Sequence, residues 1–415
     1  MWQFIRSYPR VMWMLCGGVM IYITGETLLW PLQMTYIHEH FNKSLSLAGF
    51  ILLFHFGAAL IGNILGGILF DKWGGKKVLF TSFLFSLSLV LTMCVTTNFT
   101  YYVILLLLLG FSKGLYFPLA RVIPLTIWPE GGRDAVNMIY VAENVGVALG
   151  SALAGWVASF SFQWSFIGNS ITYIMVIILF PFILRDVSLQ PKIQTKSQSI
   201  SSDPNSSPSS TSFQIWTLLS LLVIGLATLV IPYIQWSTTI PNYLSLLHIP
   251  LSSYGLLWTV NGLMVVLGQP FLSWMIRRFS LSLASQLMMG SSLFFVAMMV
   301  ASGSQIFSLF LLGMVIITWG EMMVWPIIPT IAARIAPFGK EGLFQGIATG
   351  AHSAGRMLGP LLGGFLYETL SPSWMLVGMA CLCFCSILCF AAYTRLAKKV
   401  EQQLQLNQTL SSQVS

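Results

Sequence analysis

Residues 66–77 read GGILFDKWGGKK, and the fold is decided by how this stretch is read. An apolar run stops at Asp71, the glycines Gly74 and Gly75 turn the chain, and Lys76 and Lys77 follow. With Lys72, four charges fall between positions 71 and 77 in a chain of which only 8% is charged. A soluble domain carries about 25% charged residues. Hydrophobic residues make up 56% of the 415 residues, and mean hydropathy is +0.80. So little charge cannot cover a water-soluble fold without large apolar patches. Most of this chain therefore has lipid as its solvent.

A membrane-crossing helix needs about 20 apolar residues, and about twelve such stretches follow one another, at 11–34, 46–70, 78–96, 101–121, 135–160, 164–184, 214–238, 251–275, 281–301, 306–331, 343–367 and 373–395. The basic residues Arg6, Arg10, Lys72, Lys76, Lys77, Arg133, Arg185, Lys192, Lys196, Arg277, Arg278, Arg334, Lys340, Arg395, Lys398 and Lys399 all fall on one side of this succession, and Lys43 on the other. By the positive-inside rule the basic side, with both termini, is cytoplasmic. The lysines after Gly75 thus hold the loop between spans two and three in the cytoplasm, but the rule leaves Asp71 unexplained. The net charge of +8 is accounted for by these loops and does not point to nucleic acid. No cleavable signal peptide is evident, because the apolar segment after Arg10 is long enough to span.

The expected organisation is a six-helix bundle over 1–184, a flexible cytoplasmic linker over 185–213, a second six-helix bundle over 214–395, and a polar, frayed cytoplasmic tail over 396–415. The linker is rich in Ser, Pro and Lys and has nothing to bury. The bundles read as repeats: Trp236, Ser252, Gly255 and Gly268 follow Trp30, Ser46, Gly49 and Gly62 by 206 residues. Pro326 and Pro337 follow Pro118 and Pro129 by 208, and Gly355, Gly359 and Gly364 follow Gly146, Gly150 and Gly155 by 209. Two like halves imply a central cavity and alternating access by rocking.

At this point the opening stretch resembles a family motif. GNILGGILFDKWGGKK is similar to the turn between the second and third helices of the major facilitator superfamily, G-x-L-a-D-r-x-G-r-k/r, with Gly67, Leu69, Asp71, Lys72, Gly74, Lys76 and Lys77 in place. GEMMVWPIIPTIAARIAP, GLFQGIATGAHSAGRMLGPLLGG and NGLMVVLGQP resemble helices ten, eleven and eight of its bacterial drug:proton antiporters with twelve spans. The chain departs from the family pattern at two places. Gly110 stands where an Arg is common, with Lys113 next to Gly114, and Ser151 replaces a Pro in the fifth helix. The resemblance implies that Asp71 ties helix two to the N-terminus of helix eleven in the outward-facing state, where a helix dipole favours a carboxylate. The alternative is a solvated loop Asp.

Charges at mid-membrane cost roughly 2.5–3.5 kcal/mol each, so Glu26, Lys113, Glu143, Glu321 and Arg356 are functional candidates. In the resembled exporters, acidic residues at the places of Glu321 and Glu26 handle protons and cations. A desolvated carboxyl favours its neutral form, so an arriving cation would displace a proton from each. The competing readings are a Glu321–Lys113 ion pair across the cavity, and Glu26 hydrogen-bonded to Thr24 or Thr27. Glu143, His352 and Arg356 form either a gate and proton relay or a static network. His55 is either a satisfied interior histidine or a proton group. Tyr22, Trp30, Tyr140, Trp236, Tyr243, Trp258, Trp319 and Trp325 either line a pocket for flat cations or anchor the membrane interface. Gly146, Gly150, Gly355 and Gly359, with Pro360, let helices five and eleven pack closely.

The six cysteines, including Cys381, Cys383 and Cys385, lie in apolar spans at spacings that suit neither zinc nor a disulfide. No nucleotide loop, metal cluster or enzyme signature is found. The expectation is therefore an all-α secondary transporter in the bacterial plasma membrane, monomeric and needing no cofactor, that binds small molecules and protons. Proton-coupled efflux of hydrophobic or cationic compounds comes first. The competitors are a transporter of a defined metabolite such as a sugar, and a membrane sensor that does not transport.

Overall fold

The computed structural model describes residues 9–131, 133–185, 187, 210–337 and 341–414, without the side chains at 71, 117–122, 133–134, 158–159, 210–213, 333, 341–342 and 400–414. The described residues form helices and no strand. In chain order the long helices are α1 (Arg10–Leu29, continued by Gln33–Phe41), α2 (Leu45–Trp73), α3 (Gly75–Val95), α4 (Phe99–Ile127), α5 (Arg133–Phe160) and α6 (Phe162–Ile183). The second half contains α7 (Ser210–Thr238, continued by Ile240–Leu246), α8 (Leu251–Arg278), α9 (Leu283–Ser302), α10 (Phe307–Val324, continued by Ile328–Ile335), α11 (Glu341–Thr369) and α12 (Pro372–Val414).

Local chemistry sets the helix ends. Ser44 caps α2 by accepting from Leu47 N at 3.1 Å. Asn98 caps α4 through Tyr101 N at 3.2 Å, and Ser282 caps α9 through Ser285 N at 3.1 Å. Each side-chain oxygen satisfies a first-turn N–H that has no partner inside its own helix. Gly74 ends α2 at φ 79° and ψ 150°, a conformation that side chains disfavour, so α3 can start at once. Pro31 lies in a 3-10 turn that breaks α1 at Trp30–Leu32, since it has no N–H to continue the ladder.

Eleven segments among the described residues are long and apolar enough to cross a membrane. The remaining long helix, α11, is 29 residues long but contains Arg356, His352 and Glu368. It packs on α2, α7 and α12, so protein rather than lipid surrounds much of it. Side chains such as Leu267, Phe182 and Ile64, exposed at 73%, 70% and 62%, mark the lipid-facing surface. Two large apolar cores form, one in the first half around Leu52, Phe83, Tyr102 and Phe166, the other in the second half around Leu226, Trp236, Phe294 and Phe310, which also takes in Leu28, Leu32 and Ala154 of the first.

Two boundaries depart from expectation. The tail is not frayed: α12 runs on as helix to Val414. Its Lys398 and Lys399 sit inside a continuous helix rather than before a coil. The expected linker falls largely outside the described residues, and α7 begins at Ser210 within it.

The halves meet along two helix pairs, α2 with α11 and α5 with α8. Both contacts are tight at the face opposite the basic loops. A Cβ on Gly49 would run into the backbone of Pro360, and one on Gly364 into that of Leu45. Gly155 and Gly255 pack on each other in the same way across α5 and α8. Toward the basic face the pair α2 and α11 parts: a Cβ on Gly67, Gly346 or Gly350 would have no neighbour within 4 Å. The molecule is thus closed at one face and open at the basic one.

Candidate functional site

The charged and polar groups between the helices form two centres, one in each half. In the first half Lys113 of α4 makes an ion pair with Glu26 of α1, and both are mostly buried, at 16% and 14% exposure. Tyr173 of α6 donates to the same carboxylate at 2.8 Å. The Tyr22 ring packs beside it, 5.5 Å from Phe83, 5.3 Å from Tyr116 and 5.9 Å from Tyr173. Glu26 therefore has neither Thr24 nor Thr27 as its partner. Their hydroxyls donate back to the α1 carbonyls of Met20 and Ile23.

The Glu321–Lys113 ion pair of the competing reading is not formed. Lys113 lies on α4 and finds its acid on α1 of the same half. Glu321 of α10 is 7% exposed. It accepts from Asn261 Nδ2 of α8 at 2.8 Å, and that amide also donates to Thr318 at 2.9 Å. The Tyr233 hydroxyl of α7 faces the same carboxylate. No basic side chain pairs with Glu321 among the described residues. Tyr140, from α5 of the other half, packs against Val265, Met322 and Met323 beside it. The Tyr140 hydroxyl is buried without a hydrogen bond.

Between the halves lies Arg356 of α11. Its guanidinium stands over the rings of Trp30 and Phe56 at 5.7 and 5.3 Å, both from the other half. Trp30 in turn meets Trp258 of α8 edge-on at 5.3 Å. His352, one turn earlier, packs against Trp325 at 5.4 Å, and Trp325 packs on Tyr233 at 5.5 Å. Glu143 is half-buried on α5, close to Tyr116 and Tyr140. Trp319 packs on Phe271 at 5.7 Å. At the basic end, α1 and α5 flank a groove of about 620 Å³ lined by Trp13, Cys16, Met20, Met138, Val141 and Val145.

Two expected pocket aromatics lie elsewhere. Trp236 is fully buried in the core of the second half, where Gly313 makes room for its ring. Tyr243 is spent on Ser304 O at 3.2 Å and Ser373 at 3.0 Å. Tyr22 is taken up in the aromatic cluster of the first half. His55 is buried with Nδ1 2.7 Å from the Leu106 carbonyl, and Gly110 leaves the space its ring fills. That packing gives a local reason for Gly at 110, where the family pattern has Arg.

A model of the Major Facilitator Superfamily matches residues 15–283 and again 226–410. The chain belongs to this superfamily. The chain is 39% identical over 394 residues to an uncharacterized MFS-type transporter of Bacillus subtilis, YttB, covering 95% of this chain and 98% of that one. It is 22% identical over 389 residues to a Na(+), Li(+), K(+)/H(+) antiporter of Planococcus maritimus, covering 86% and 89%. Among solved structures, a peptide transporter of the POT family superposes with TM-score 0.79 at 13% identity, over 94% of this chain and 96% of that one. The nucleoside transporter NupG does so with TM-score 0.73 at 16% identity, over 92% and 100%. The chain is thus a multi-pass membrane transporter, taking small molecules across a lipid bilayer, and not an enzyme.

Family membership gives the opening turn its context. Gly74 makes the sharp join of α2 to α3. Lys76 donates to the Arg185 carbonyl at the end of α6 at 3.2 Å, while Lys72 and Lys77 are exposed. The Asp71 side chain lies outside the described residues. Gly146 and Gly150 pack α5 on α1, and Gly355 and Gly359 pack α11 on α7, so these pairs build the halves internally. The contact across the halves is made by Pro360 and the other glycines named above.

Sequence reasoning missed Tyr173, Tyr233, Asn261, Phe56 and Glu368. Asn261 had a usable signal, a lone amide at mid-span in α8. Glu368 did not: at the end of a span it reads as solvated. Its carboxylate instead receives Leu45 N at 2.5 Å and the Ser46 hydroxyl, capping α2 from the opposite half.

Proposed function

We propose that this transporter is a proton-coupled exporter of hydrophobic compounds, cations among them, in the bacterial plasma membrane. On this reading the basic face and both termini are cytoplasmic, and the structure is the inward-facing state. The observation that carries the proposal is the contrast at Glu321. It is a buried carboxyl held by the neutral donors Asn261 and Tyr233, with no basic side chain paired to it among the described residues. Such a group can take a proton and give it up as a substrate enters or leaves. Glu26 is neutralised by Lys113, so cation recognition falls to Glu321 rather than to Glu26. The groove between α1 and α5, apolar but for Asn137, and the rings of Trp30, Trp258 and Trp325 favour hydrophobic substrates over sugars, whose sites need several amide and carboxyl groups. The similarity to a cation/proton antiporter supports exchange against protons as the energy source. No cofactor enters the cycle.

The test uses inside-out vesicles energised with a proton gradient and given a lipophilic xanthene dye. The dye should accumulate and leave on addition of an uncoupler. Dye that accumulates equally with and without the gradient, or not at all, contradicts the proposal.

A further inference from the structure

We infer that Arg356 is an anion-binding residue, and that the preferred substrate is a hydrophobic compound carrying one carboxylate. The assignment of a substrate to this space rests on the transporter reading above and narrows it.

The Arg356 Nε is buried and makes no hydrogen bond. The residue as a whole is half-buried. No acidic side chain pairs with it among the described residues. The two carboxylates of the polar centres are engaged elsewhere, Glu26 by Lys113 and Glu321 by Asn261. What the guanidinium does have is two aromatic faces, Trp30 and Phe56. Cation–π contact offsets part of the cost of a desolvated cation but fills none of its hydrogen bonds. An arginine left this way inside a membrane protein is a positive charge waiting for an anion.

The geometry also selects the anion. A planar carboxylate matches the Nε and Nη edge of a guanidinium with two parallel hydrogen bonds, which a lysine could not reproduce. The apolar walls nearby, Trp30 with Trp258 and Phe56, suit an aromatic or aliphatic body attached to that carboxylate. The location adds a consequence. Arg356 belongs to one half, and both rings to the other. A carboxylate that draws the guanidinium off these rings loosens a contact between the halves, so binding and rearrangement are linked through one side chain. With Glu321 able to meet a positive group, molecules carrying both charges fit best.

The experiment uses the purified full-length protein in detergent and two xanthene dyes with the same ring system, one with a free carboxylate and the other its ethyl ester. Binding is followed by fluorescence anisotropy. Wild type should bind the carboxylate dye about tenfold or more tightly than the ester, the factor expected for a charged hydrogen-bonded pair. Arg356→Gln should bring the two affinities within about twofold by weakening only the carboxylate dye. Arg356→Lys, which keeps the charge and loses the fork, should recover part of the difference. The inference is overturned if wild type binds the ester as tightly, if neither dye binds, or if Arg356→Gln weakens both dyes by the same factor. Accumulation in energised vesicles is scored separately. Intact discrimination without gradient-driven accumulation would remove the export reading and leave Arg356 as the carboxylate site.

Discussion

The two halves place polar groups at matching positions and use them differently. In the first, α1 and α4 bring Glu26 and Lys113 together as an ion pair. In the second, α7 and α10 bring Tyr233 to Glu321, and α8 adds Asn261. Lys113 and Glu321 occupy corresponding places in the repeat, yet one closes a charge pair and the other holds a carboxyl among neutral donors. On the proposed function the two halves divide the work: the first carries a fixed ion pair, and the second carries the carboxyl that changes its charge. The faces differ likewise, since glycine-to-backbone contacts shut one end of α2 and α11 while the other stands open.

The largest effect should come from breaking the fixed centre. Lys113→Met leaves Glu26 buried without its cation, which in fully buried pairs costs about 3–5 kcal/mol. At 16% and 14% exposure the pair is not fully sealed, so a loss of about 3 kcal/mol, at the low end of that range, is expected. Thermal unfolding in detergent would show it, and adding Glu26→Gln to Lys113→Met should restore most of the melting temperature. Failure of that rescue would mean the two residues are not coupled. In the other half, Glu321→Gln should change stability by less than about 1 kcal/mol, because an amide can still accept from Asn261.

A smaller effect is expected at the closed face. Glu368 caps α2 across the halves, and Ser245 donates to Glu39 at 3.0 Å across them as well. Glu368→Gln removes a carboxylate from a helix N-terminus, worth about 0.3–1 kcal/mol. The equilibrium should move two- to fivefold, by that arithmetic roughly, toward opening at this face. Spin labels at Asn42 and Leu246 would report it as a longer population in their distance distribution. An unchanged distribution would make Glu368 a passive cap. The smallest effect is reserved for Tyr173→Phe. Its effect is smallest in transport: although it takes one hydrogen bond from Glu26, worth about 1 kcal/mol of stability, transport rates should stay near wild type, since the Lys113 pair remains.

Much of this molecule is legible from composition and period. The apolar spans, the Gly74 turn and the internal repeat are local or periodic properties, and the helices lie where they predict. What the sequence leaves open concerns partners. Glycine pairs in α5 and α11 announce close packing but not against which helix. Lys113 could reach across a cavity or along its own half, and only the packing of α1 on α4 decides. Trp236 looks like Trp30 in the repeat, yet one is interior and the other meets Arg356, because each residue's helix face depends on neighbours far away in sequence. The weak apolar signal of α11 has the same origin, since a helix packed among other helices can carry Arg356 and His352 where a lipid-facing one could not.

The central claim is that Glu321 alone exchanges a proton for substrate, while Glu26 stays locked to Lys113. Substrate-induced proton release from the purified protein, followed with a pH-sensitive dye in weak buffer, tests it directly. Wild type and Glu26→Gln should both release protons on addition of a saturating lipophilic substrate, and Glu321→Gln should release none while still binding it. Release that persists in Glu321→Gln, or that vanishes in Glu26→Gln with binding intact, would contradict the account.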